Sequence, residues 1–105
     1  MGKRQKINLI TVTTVQDALC QVVHKETIKA VRCEVNSISM SEYMAASQIG
    51  KYAEYQVIMW ANEYDGQEYV DVNGSRYHVY RTYDTQDRHI ELYLEEMPAH
   101  VTAQS

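Results

Sequence analysis

The chain of 105 residues contains no Phe, a single Pro, four isolated Gly and two Cys. Without closely spaced Gly there is no loop of the kind that cradles phosphates, which argues against nucleotide binding. Cys20 and Cys33 form no CxxC motif or paired ligand set. The sequence also lacks a signal peptide and an apolar run of about 18 residues. We therefore expect a soluble protein with reduced thiols, made in the cytoplasm, in which a Cys20–Cys33 disulfide is disfavoured.

Positive charge is also scarce, because 10 basic residues face 14 acidic ones and the net charge is −4. Nucleic-acid binders usually present a basic surface, so sequence-specific DNA binding is disfavoured. Lys3, Arg4 and Lys6 form the single basic cluster, which is expected to be a solvated terminus. The length fits one domain over residues 1–105, with flexible termini at about 1–6 and 98–105.

Aromatic residues are present in an unusual selection of nine Tyr and one Trp. Tyr combines an apolar ring with a polar tip and loses little rotamer entropy on fixation, which suits contacts between proteins. The alternative is that these rings close the edge of a small core.

A run rich in β-branched residues and free of Gly and Pro predicts a strand over residues 6–15, and hydrophobic alternation predicts strands over residues 22–38 and 53–61. The second could be one long strand, or two strands broken near residues 25–27. Between the second and third, Ser39 and Glu42 have the spacing of a capping box, and Gly50 stands where a helix would end. Ser41 is a competing N-cap. One short helix is therefore expected there, lying on a sheet or on a neighbouring subunit.

The sequence EYVDVNGSRYHVY predicts a β-hairpin, because Asn73-Gly74 supplies the positive φ angles of a type I′ turn. The predicted register pairs Val70 with Tyr77 and Asp71 with Arg76. A last strand follows with Ile90, Leu92 and Leu94 facing inward. The sum is a mainly β fold of about six strands with one short inserted helix, forming a small, partly open antiparallel β-barrel.

No group of residues has the spacing of a catalytic or metal site. The four His are scattered, and the carboxylates around residues 63–71 lack calcium-loop spacing, so an ordinary acidic loop is favoured. Neither Cys lies in a recognisable nucleophile turn. We expect no enzymatic activity, no metal and no cofactor.

The order of elements from residue 32 to about 96 resembles the head-closure, or stopper, members of the phage head-tail joining family. The resemblance is carried by the helix start Ser39-Met40-Ser41-Glu42-Tyr43 and by the strand-turn-strand of residues 69–79, where Tyr77 and Val79 fill an aromatic-x-Val position. Residues 16–21 lack the family's longer Gly-containing loop and the Trp that follows it. The subclass therefore stays open among head-closure, adaptor and tail-completion proteins.

The resemblance implies a structural virion protein at the head-tail interface of a long-tailed bacteriophage, made in the bacterial host. It implies a ring of copies, twelve-fold to match the portal, that contacts the portal or adaptor complex and the tail proteins. DNA would pass through this ring without sequence recognition, and no membrane is involved. The element that closes the channel would be the loop with Glu63, Tyr64, Asp65 and Gly66, or the helix start at Glu42 and Tyr43.

A second reading is a small binding module of the OB or SH3 kind that recognises single-stranded nucleic acid or a peptide. Tyr69, Tyr80 and Tyr93 would then stack on bases. The net negative charge weighs against this reading.

Overall fold

The computed structural model describes residues 2–16 and 18–97. They form six strands, one α-helix and a single 3-10 turn at Ala61–Glu63. The elements are, in chain order, β1 (Lys3–Gln16), β2 (Val22–Ser37), α1 (Met40–Gln48), β3 (Ala53–Trp60), β4 (Tyr69–Val72), β5 (Ser75–Asp84) and β6 (His89–Glu96).

The six strands form a closed barrel in the order β1-β2-β3-β6-β5-β4, and every neighbouring pair is antiparallel. The predicted mainly β barrel with one inserted helix is confirmed. The barrel is closed where the sequence predicted it partly open. Closure depends on β4, which has only four residues and pairs Tyr69, Val70 and Asp71 with β1. A strand of four residues gives no strong sequence signal, so its pairing with β1, which closes the barrel, could not be predicted.

The core lies inside the barrel and consists of aliphatic residues from five of the six strands. Tyr55, Tyr64, Tyr77, Val79 and Ile90 pack against its edge, so part of the Tyr content closes a small core, as one of the two sequence alternatives held. Leu92 and Leu94, at alternate positions, are fully buried, which confirms the predicted inward face of β6. The buried core residues are Ile7, Leu9, Val31, Cys33, Val35, Val57, Met59, Val70, Val72, Leu92 and Leu94.

The predicted hairpin and helix are confirmed in detail. Strands β4 and β5 pair Val70 with Tyr77 and Asp71 with Arg76, and the turn residues Asn73 and Gly74 have φ of 51° and 84°. The helix has Ser39 as its N-cap, whose hydroxyl accepts the Glu42 N–H at 3.2 Å. It is followed by Gly50 with φ of 77°, in the left-handed region that favours glycine.

The predicted flexible segment at residues 1–6 is wrong for residues 3–6. These residues belong to β1 and pair with residues 32–35 of β2. They are fixed because β2 supplies a hydrogen-bonding partner strand that a local pattern does not reveal. The other predicted flexible segment, residues 98–105, lies outside the described residues.

Candidate functional site

The longest element of the structure is a two-stranded ribbon that continues β1 and β2 beyond the barrel. We define the arm as residues 11–16 of β1 and 22–27 of β2. These segments pair with each other along their whole length, from Thr11 opposite Thr27 to Gln16 opposite Val22. Strand β1 contacts β4 only through residues 8–10, and β2 contacts β3 only through residues 34–37. Both lateral edges of the arm are therefore unpaired among the described strands.

Every described residue of the arm is exposed, on both faces of the ribbon. Val12, Val15, Val22 and Val23 keep between 42% and 61% of their surface in solvent. Residues 11–16 contain no charge and no Pro, which are the features that natural edge strands use to prevent pairing with another chain. At about 3.3 Å per residue the arm reaches roughly 20 Å from the barrel. Such a ribbon has the properties of a contact element.

Arg76 of β5 ties the base of the arm to the barrel. Its guanidinium makes paired hydrogen bonds to Asp71 on the adjacent β4, at 2.8 and 3.2 Å, and to Glu26 on the arm, at the same two distances. These bonds lower the pKa of Glu26 from its ordinary value. Ile10 is fully buried at this base, although it faces away from the core residues Ile7 and Leu9. The arm is thus attached by a defined junction and is not a free loop.

A groove of about 690 Å³ lies where the barrel wall divides beside the arm. Strands β2 and β3 pair as far as Glu34 opposite Ile58 and then separate. The groove is lined by residues 30–34 of β2 and residues 58–60 of β3. At its rim, the Trp60 indole stacks on the His89 ring with centroids 4.4 Å apart. One edge of β2 is consequently open to the groove.

Three exposed cations, Arg4, Lys6 and Arg32, line the same groove. Lys6 lies directly opposite Arg32 in the β1–β2 register. Like charges in directly opposite positions destabilise a sheet. None of the three makes an ion pair with a described residue. The groove also contains two carboxylates, Glu34 and Glu63.

The loop proposed from sequence as a channel-closing element packs onto the barrel. The Tyr64 hydroxyl donates to the Gln67 carbonyl at 2.7 Å, and Gln67 is itself buried. The Lys29 ammonium donates to the Glu63 carbonyl at 2.8 Å and lies 3.7 Å from the Asp65 carboxylate. Asp65 and Gly66 remain exposed at the tip. The loop therefore closes one end of the groove and does not project as the arm does.

The second proposed element, the helix start, is divided between inward and outward contacts. The Glu42 carboxylate accepts hydrogen bonds from the Tyr80 hydroxyl and the Arg81 guanidinium, both at 2.5 Å, and fixes α1 on β5. These bonds keep the pKa of Glu42 below its ordinary value of 4.5, with Arg81 as the main cause. Tyr43 points outward and is 45% exposed. Of this pair, Tyr43 is the residue available to a partner.

Glu42→Gln is expected to destabilise the protein in a pH-dependent manner. Because the folded pKa of Glu42 is lower than the unfolded one, its stabilising contribution is complete above about pH 4.5 and is lost as the pH falls through the folded pKa. Urea unfolding should show a clear deficit of the variant at about pH 7 and a smaller one at about pH 3. The exposed Glu96→Gln serves as control. An equal deficit at both pH values would contradict this role of the Glu42 charge.

The Tyr residues that the nucleic-acid reading requires are engaged inside the fold. Tyr93 is 8% exposed, and the Arg81 guanidinium covers its ring at 3.9 Å. The Tyr80 hydroxyl donates a hydrogen bond to the Glu42 carboxylate, and the centroids of the Tyr69 and His78 rings lie 5.6 Å apart. These three rings are therefore not arranged as a free stacking surface.

Chemical groups suited to catalysis or metal binding are not gathered at either surface. Within residues 2–16 and 18–97, no three His, Cys, Asp or Glu side chains are placed to hold one metal ion. Both Cys are free, and burial raises the pKa of the Cys33 thiol to about 11. In the described part of the chain, no helix has the length and apolar character needed to cross a membrane. Neither a protein-family model nor a curated protein matches the chain.

Sequence reasoning missed both surfaces. The Thr and Val run at residues 11–15 was the available signal for the arm, since it has neither a charge nor a regular alternation of apolar and polar residues. The groove has no local signal, because Lys6 and Arg32 meet only through the β1–β2 register.

Proposed function

We propose that this chain is a structural virion protein of the phage head-tail junction. In this role, copies form a ring, twelve-fold to match the portal, beneath the portal or adaptor complex. The ring closes the DNA channel and offers the attachment surface for the tail. The proposal extends the resemblance of residues 32–96 to the head-closure proteins.

The observation that carries the proposal is the arm. A two-stranded ribbon exposed on both faces gains little stability by itself in water. Its exposed Val side chains and unpaired edges become buried and hydrogen-bonded only against another protein. A ring supplies such a surface on every subunit, because each copy in a cyclic assembly meets the next through two different patches. We therefore assign the contact between copies to the arm.

The contacts around the arm are consistent with a protein whose role is to hold binding surfaces in fixed orientations. Arg76 fixes the base of the arm, and Glu42 fixes α1, so both elements are presented in defined orientations. The exposed Asp65 carboxylate at the loop tip would repel DNA from a channel wall. We propose the loop of Glu63, Tyr64, Asp65 and Gly66 as a channel lining.

The test is an in-frame deletion of the gene in the parent phage or prophage, followed by electron microscopy of the lysate. We expect heads that have lost DNA beside complete, unattached tails, and joined virions when the gene is restored in trans. Normal virions from the deletion would overturn the proposal. Heads that never packaged DNA would place the protein before the junction and would also overturn it.

A further inference from the structure

The groove beside β2 combines three features that together point to a ligand. The edge of β2 over residues 28–33, between the arm and the pairing with β3 that starts at Glu34, lacks a neighbouring strand in the described structure. Arg32 lies on this edge and Arg4 and Lys6 lie on the adjacent β1, and none of the three makes an ion pair with a described residue. Trp60 is 49% exposed at the opposite rim.

The positions of these cations destabilise the isolated chain. Lys6 and Arg32 lie on the same face at directly opposite positions, with Arg4 two residues along β1. Glu34 lies directly opposite Arg4, so the charges left unbalanced in the register are those of Lys6 and Arg32, whose repulsion an anion beside them would relieve. In a chain with a net charge of −4, this cluster is a local reversal of sign. The groove therefore favours a ligand that carries negative charge.

The free edge of β2 favours an acidic polypeptide over a nucleic acid as the anionic ligand. An extended polypeptide can hydrogen-bond to the free N–H and C=O groups of β2, whereas a nucleic-acid strand offers no matching backbone. Glu34 and Glu63 also line the groove and would repel a phosphate at every step. A peptide strand can pair with β2 only up to residue 33, because β3 occupies the edge from Glu34, so its acids can lie beside Arg32 without lying opposite Glu34.

From these observations we infer that the groove binds an extended, acidic segment of a partner protein, which adds as a strand to the free edge of β2. Acidic side chains of the segment contact Arg4, Lys6 and Arg32, and an apolar side chain packs against Trp60. This inference goes beyond the junction role and does not depend on it, because binding is a property of the purified chain.

Trp60 makes the inference directly measurable, because it is the single Trp of the chain and lies at the groove. The probe is a short capped peptide of alternating Glu and Val, titrated against the purified protein at low salt. We expect a saturable change in Trp60 fluorescence, with heat of binding in a parallel calorimetric titration. Raising the salt should weaken binding, since the charges are exposed and screened. The same peptide with Lys in place of Glu should not bind.

The decisive variant is Arg32→Glu, with Lys25→Glu on the arm as a control of identical charge change. Arg32→Glu places a carboxylate opposite Lys6, so its fold should be at least as stable as that of the wild type. We expect its affinity for the acidic peptide to fall about tenfold or more, because an attraction becomes a repulsion. Lys25→Glu should bind like the wild type.

Four results would overturn the inference. These are no fluorescence change and no heat with the acidic peptide, equal binding of the Glu and Lys peptides, equal losses in both variants, and binding of oligo-dT in place of the peptide. Sedimentation velocity without peptide provides one further check. Self-association that disappears in Arg32→Glu would make a second copy the occupant and would overturn the assignment to a partner protein. None of these results bears on the deletion experiment.

Discussion

Replacing residues 14–24 by Asn-Gly should abolish head-tail joining and leave the barrel intact. Thr13 and Lys25 are directly opposite each other and form a hydrogen-bonded pair of the β1–β2 ladder, the kind of pair that a two-residue type I′ turn closes. The replacement keeps Ile10 and the bonds between Arg76 and Glu26, and removes most of the exposed ribbon. The purified variant should therefore unfold near the wild-type temperature.

The expected loss lies in assembly. If the arm supplies the central contact between copies, its removal should weaken their association by at least about 100-fold, the effect of losing a few dominant interface residues. Supplied in trans to the deletion phage, the shortened protein should yield unattached tails. Thr14→Val is the matched control, since it preserves the length and both edges of the arm. Normal virions with the shortened protein would show that the arm is not the contact.

Leu9→Ala should be among the most damaging single substitutions for stability. Leu9 is fully buried and lies directly opposite Val70, on the strand pair that closes the barrel. Truncation of a buried Leu lowers the free energy of unfolding by about 2–5 kcal/mol, including the cost of the cavity that it leaves. This is a large part of the roughly 5–15 kcal/mol that stabilises a typical domain. Urea unfolding monitored by circular dichroism measures the difference.

Ile28→Ala is the comparison, because it removes a similar side chain from the same ribbon at a position that is 61% exposed. We expect a change within about 0.5 kcal/mol, as for most surface substitutions. A loss as large as that of Leu9→Ala would mean that Ile28 is buried in solution, for example by association of the arm with another copy. Repeating the measurement at several protein concentrations separates these cases.

The parts of the fold predicted correctly are those with local signals. Asn73-Gly74 determines a turn by its φ angles, and Ser39 with Glu42 determines a helix start by one hydrogen bond. The second half of the capping box is replaced, because the Glu42 side chain bonds to Tyr80 and Arg81 and not to the Ser39 backbone. The position of Glu42 at the helix start was therefore predicted correctly, but contacts with β5 determine what its side chain binds.

The arm and the groove could not be predicted, because both form where a strand lacks a neighbour in the sheet. The pattern at residues 11–16 indicates an extended chain but contains no information on whether a third strand lies beside it. Lys6 was assigned to a solvated terminus for the same reason. Its distinctive environment is created by Arg32, which is distant in sequence and adjacent in the sheet.

The way in which β4 closes the barrel has a consequence for how the wall can open. Three residue pairs join β1 to β4, whereas fourteen join β1 to β2. The β1–β4 seam is therefore the weakest line in the wall, and Arg76 acts as a latch across it by holding Asp71 on one side and Glu26 on the other. Without this contact, we expect the barrel wall to open first along the β1–β4 seam, so that amide hydrogen exchange at Tyr69 and Asp71 becomes faster than in the wild type.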